Sequence, residues 1–89
     1  MSVSPERIAA TILSLLEARA PDATICPSDA ARALDGDEAA WRALMPAVRQ
    51  AASELARAGR LRVTQHGDEV DALGARGPIR LGRPLNPRR

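Results

Sequence analysis

Five polar side chains between Trp41 and Gly59, namely Arg42, Arg49, Gln50, Ser53 and Arg57, have the types and spacing of a nucleic-acid reading face. An arginine can fork onto a guanine edge, a glutamine onto an adenine edge, and a serine onto either. Arg49, Gln50 and Ser53 are placed for that work. Arg42, Arg57, Arg62, Arg76 and Arg80 suit phosphate oxygens, which position a duplex without reading its sequence. On a 3.6-residue period Trp41, Leu44, Met45, Val48, Ala52 and Leu55 form the opposite, apolar stripe, so one side of this helix packs and the other faces out.

The remaining chemically capable residues point elsewhere. Cys26 is the one cysteine, so it forms no internal disulfide, and its type reads as a small buried hydrophobe. His66 stands in a turn sequence with no second His or Cys spaced to join it in a metal site. Asp35, Asp37 and Glu38 read as a turn followed by a helix cap rather than a metal site. There is no Gly-rich phosphate loop and no HExxH. No nucleophile and base can be paired, so the expectation is a non-enzyme without a cofactor.

Those residues need a scaffold, and local patterns supply one. Ser4 caps a first helix with Pro5 at its first position and Ile8, Ile12, Leu15 and Leu16 inward, ending near Ala20-Pro21. Thr24-Ile25 adds a short extended segment. Ser28 can cap a second, two-turn helix from Asp29 to Leu34. Pro46 inside the third helical segment removes a backbone donor and collides with the Arg42 carbonyl, at a cost of about 3 kcal/mol. The expectation is a short helix over Glu38 to Ala43, then a recognition helix with Pro46 in its first turn, closed by Gly59 in the left-handed conformation.

Beyond Gly59 the period changes to two. Leu61, Val63 and Val70 face inward, Arg62, Thr64, Glu69 and Asp71 outward, and His66-Gly67-Asp68 makes the turn. The stretch Pro78-Ile79-Arg80-Leu81 alternates again and returns to the sheet. The order predicts an α+β fold, a winged helix-turn-helix of three main helices plus a small antiparallel sheet built from a wing hairpin and a returning C-terminal strand. It spans residues 4–82, followed by a flexible Arg- and Pro-rich tail at 83–89.

Composition bounds the function. At 89 residues, with no Phe, no Tyr and one Trp, the chain holds one small aliphatic core. Base-stacking RNA modules need surface aromatics, and Trp41 lies on the packing stripe. No apolar run reaches the roughly 20 residues of a membrane span, and the start lacks a leader pattern, so the expected location is the cytoplasm. Residues 1–59 hold 6 Arg and 8 acidic residues, a net of −2, whereas residues 60–89 hold 7 Arg and 3 acidic residues, a net of +4. A basic C-terminal third suits a polyanion.

The phrases Ile25-Cys26-Pro27-Ser28, Trp41-Arg42-Ala43-Leu44-Met45-Pro46-Ala47-Val48-Arg49, Gly59-Arg60-Leu61-Arg62-Val63-Thr64-Gln65 and Gly77-Pro78-Ile79-Arg80 resemble a family of small bacterial proteins catalogued as a domain of unknown function. The resemblance runs from about Ile8 to Leu81. It implies a winged-helix fold and carries no activity.

Two functions remain. The first is double-stranded DNA binding by the helix at 46–58, with a role in transcriptional regulation. Asp68, Glu69 and Asp71 at the wing would be repelled by phosphates, so the wing itself contributes little and Arg76, Arg80, Arg83 and the Arg88-Arg89 arm take its place. The second is a non-catalytic protein-protein interaction module on the same fold, which predicts exposed apolar positions at Leu13, or at Leu73 and Leu85. A homodimer is compatible with either.

Overall fold

The computed structural model describes residues 3–84. Its elements follow one another as α1 (Pro5–Glu17), β1 (Thr24–Ile25), α2 (Pro27–Leu34), α3 (Glu38–Arg57), β2 (Arg62–Gln65), β3 (Asp68–Glu69) and β4 (Arg80–Gly82). Three helices and a four-stranded antiparallel sheet make an α+β arrangement compatible with a winged helix. Among the described residues, no helix is long and apolar enough to cross a membrane.

Local chemistry starts α1 where expected. Ser4 Oγ accepts from the Arg7 amide at 3.1 Å, and Pro5 occupies the first turn, where a missing N–H is harmless. Ile8, Ile12 and Leu16 recur every four residues and are buried, while Leu15 is only half-buried. The helix ends at Glu17, three residues before Ala20.

The start of α2 differs from the sequence expectation. Cys26, not Ser28, is the N-cap, because Pro27 has the fixed φ of a first helical residue and the Asp29 carboxylate reaches back to accept from the Cys26 amide at 2.9 Å. Ala30 and Ala31 of α2, and Ala51 and Ala52 of α3, are buried, so small side chains form much of the helical core.

The largest departure is α3. It runs unbroken from Glu38 to Arg57 with Pro46 inside it. Asp37 caps it, accepting from the Ala40 amide at 3.0 Å. Pro46 lies on the exposed side, where water can satisfy the Arg42 carbonyl that loses its partner, while Trp41, Val48, Ala52 and Leu55 pack inward on both sides of it. Tertiary burial along the whole stripe outweighs the local penalty. The C-terminus closes as expected. Gly59 sits at φ 75°, the Arg60 amide donates to Leu55 O at 2.9 Å, and the Gly59 amide donates to Ala56 O at 3.0 Å.

The sheet has the order β1-β4-β2-β3. β4 is a central strand, pairing Ile25↔Leu81 on one side and Val63↔Leu81 on the other. The β2–β3 turn is the two-residue pair His66-Gly67, at φ 55° and 87°, the positive values a tight hairpin demands. Leu61, Val63, Ile79 and Leu81 cover the helices from the sheet side, and Val70 is half-buried.

Candidate functional site

The reading face expected on α3 is not one exposed strip. Ser53 is 4% exposed and lies inside the molecule, out of reach of a ligand. Arg49 is half-buried, and its guanidinium donates from Nη1 to the carbonyls of Ala72 and Ala75, both at 3.1 Å, and from Nη2 to Gly77 O at 2.7 Å. For Arg49 the cause is the loop from Asp71 to Ile79, which folds over a side of α3 that periodicity alone assigns to solvent.

The side chains that do stay outside are largely paired along the helix. Arg42 bonds Glu38 through Nε at 2.9 Å and Nη2 at 2.8 Å, and its guanidinium carbon sits 4.8 Å from the Trp41 ring centroid. Arg32 of α2 flanks the same ring at 4.6 Å, so Trp41 joins α2 to α3. Gln50 donates to Glu54 at 2.8 Å. Arg57 and Arg76 are exposed and make no side-chain hydrogen bond or ion pair among the described residues. From α3 through the β3–β4 loop, Arg42, Arg49, Arg57, Arg60, Arg62 and Arg76 are interspersed with Glu38, Glu54, Asp68, Glu69 and Asp71, so the two signs nearly balance.

Arg80 and Arg62 are also engaged within the fold. Arg80 donates to Thr24 Oγ1 at 2.8 Å, Thr24 O at 3.0 Å and Cys26 Sγ at 2.7 Å, tying β4 to the start of α2. Arg62 Nε donates to Arg83 O at 3.1 Å. Cys26 is half-buried rather than fully buried.

The loop between β3 and β4 is held by side chains from two elements. Besides the three bonds from Arg49, Gln65 Nε2 donates to Arg76 O and, at 3.1 Å, to Pro78 O. Asp71 Oδ1 accepts from the Leu73 amide at 3.2 Å, and Ala72 and Ile79 are buried anchors. Leu73 projects from this frame 49% exposed, the large hydrophobic side chain left outside among the described residues. Asp68, Glu69 and Asp71 precede it within five residues and are exposed.

At the other end of β2 lies a cavity of about 260 Å³ lined by Leu13, Leu16, Glu17, Arg60, Arg83 and Pro84. Arg83 forms part of its wall because it caps α1 from a distance, donating to Leu16 O at 3.2 Å, Glu17 O at 3.1 Å and Arg19 O at 3.2 Å. The last turn of α1 has no basic residue of its own, so Arg83 answers both the orphan carbonyls and the negative helix end. Arg83, where the tail was expected to start, is therefore anchored, and Leu85 and the Arg88-Arg89 arm lie outside the described residues. Among the described residues no cluster of His, Cys, Asp and Glu could hold a metal ion.

Sequence reasoning named Leu13 and Leu73 as apolar positions and Arg83 as a DNA contact, but gave no role to Gln65 or Arg60 and did not foresee Arg83 on the α1 end. The Gly-rich loop Leu73-Gly74-Ala75-Arg76-Gly77 was the available signal for Gln65, since such a loop leaves carbonyls for a side chain to satisfy. A family model matches the chain over residues 5–84, which takes in α1, the clamped loop and the cavity. No curated protein matches it.

Proposed function

Because the chain belongs to the family described as Protein of unknown function (DUF3253), a membership that carries no activity, we propose its role from geometry: a non-catalytic winged-helix module that recognises another protein. The winged-helix reading is supported by the element order, by the three residues between α2 and α3, and by β4 lying between β1 and β2. The observation that carries protein recognition is the Arg49 clamp. It engages the arginine best placed to read a base, and it preorganises a loop that displays Leu73 among carboxylates. Fixing a contact loop before binding lowers the ordering cost of association.

Double-stranded DNA binding is the second reading. It is favoured by the exposed guanidinium groups of Arg57 and Arg76, which have no partner among the described residues, and by a sequence pI of about 9.9. In that reading Arg42, Gln50 and Arg57 meet the duplex from α3, with Arg62 and Arg76 on its phosphates, after the present partners of Arg42, Gln50 and Arg62 are released.

Fluorescence anisotropy on labelled duplexes across salt concentrations separates the two. Protein recognition predicts no binding at low salt. A slope of log K against log salt of about −0.9 per phosphate contacted, lost in Arg57→Ala and Arg76→Ala, would overturn it. In cells, a photo-crosslinking residue placed at position 73 is expected to give protein adducts and no DNA adducts.

A further inference from the structure

We propose that a partner of the clamped loop is a second copy of this chain, with Leu73 of one copy seated in the cavity that α1, Arg60 and the Arg83-Pro84 segment line in the next. The inference rests on the protein-recognition reading above and gives it a specific occupant. Both halves of the contact are present in one molecule. The loop offers an exposed leucine flanked by Asp71, with Asp68 and Glu69 on the adjoining strand. The cavity offers Leu13, Leu16 and Pro84 as apolar wall and Arg60 and Arg83 as cationic rim.

Size and charge agree. An engineered apolar cavity of roughly 150 Å³ takes up benzene, so the 260 Å³ here accepts a leucine side chain with room beside it for a carboxylate. Arg60 is exposed and makes no side-chain hydrogen bond or ion pair among the described residues, which leaves its fork open for Asp71 or Glu69. Arg83 faces the same space, although the carbonyls of Leu16, Glu17 and Arg19 already draw on it. Glu17 is the opposing charge on the rim, and it sets a limit on how many loop carboxylates the site tolerates.

The two halves cannot meet within one chain. Gln65, which holds the loop, ends β2, whereas Arg60 precedes the start of the same strand. The contact is therefore between molecules, and it joins two different patches. Such a contact either closes a two-fold dimer, when each copy's loop enters the other's cavity, or continues head-to-tail into a ring or chain.

The experiment is sedimentation velocity on the full chain from low micromolar to millimolar concentration, with circular dichroism to verify folding. The wild type is expected to rise in mass from monomer to dimer or larger as concentration increases. Leu73→Asp removes the projecting leucine and Arg60→Glu reverses the rim, both at exposed positions, and each variant alone is expected to stay monomeric. An equimolar mixture of the two should form a one-to-one dimer and nothing larger, because the Arg60→Glu copy keeps its loop and the Leu73→Asp copy keeps its cavity. A wild type that stays monomeric throughout, variants that associate like it, or a mixture that stays monomeric would each overturn the proposal. Protein adducts at position 73 in cells, found alongside any of those results, would leave protein recognition standing and remove only the second copy as its partner.

Discussion

Arg49 and Gly77 lie 28 residues apart and are joined by a 2.7 Å hydrogen bond from a guanidinium Nη2 to a backbone carbonyl. With the bonds to Ala72 and Ala75, one side chain fixes the course of the loop over α3.

Replacing Arg49 by alanine should therefore cost about 2–3 kcal/mol, the scale of losing charge-assisted hydrogen bonds at a partly buried site. Urea denaturation reads the loss, and amide exchange across residues 72–77 should accelerate more than exchange in α1. Lysine should not rescue it, since an ammonium lacks the planar fork that spans three carbonyls. Unchanged exchange in the loop would show that the clamp contributes nothing.

Pro46 remains a local penalty inside a continuous helix. Pro46→Ala restores the amide that the Arg42 carbonyl lacks and should stabilise the protein by about 1–3 kcal/mol. A rise in Tm checks it. A fall would mean that the proline ring itself supports α3.

Ser53 is a buried hydroxyl on α3 with no side-chain hydrogen bond among the described residues. Ser53→Ala should leave stability unchanged within about 0.5 kcal/mol or raise it, because no partner is abandoned. Chemical denaturation decides this, and a large loss would reveal a bond made by that hydroxyl.

Gly59 closes α3 at φ 75°. Gly59→Ala puts a Cβ into the left-handed region and should destabilise by about 1 kcal/mol. A neutral substitution would require the backbone there to shift to a different cap, visible as altered amide shifts at Arg60.

Arg83 caps α1 across the fold, so Arg83→Ala should lower stability by about 1–2 kcal/mol. Its signature is local: amide exchange at the end of α1 should speed up before that of α3. Loss confined to α3 would contradict the assignment.

What could be read in the sequence was what neighbours decide. Ser4 with Pro5, Asp37 with Ala40, Gly59 after the last turn of α3, and His66-Gly67 between two alternating runs each act within about four residues, where a pattern of types is sufficient. The same holds for the apolar stripe of α3 and for the return of Ile79 and Leu81 to the sheet. Cys26 displaced Ser28 as a cap because two local solutions competed and the Pro27-Asp29 pair satisfied more of the helix end.

The arginines show where that reading stops. By itself the sequence determined three helices, a hairpin, a returning strand and the apolar sides that bury them, because periodicity and caps are short-range. Only the tertiary structure decided that Arg49, Arg80 and Arg83 fold back onto carbonyls or side chains 23 to 67 residues away. It also decided that Pro46 does not break α3. A guanidinium has a long reach and five donors, so its partner is set by which backbone groups the fold leaves unsatisfied nearby, and no helical period records that.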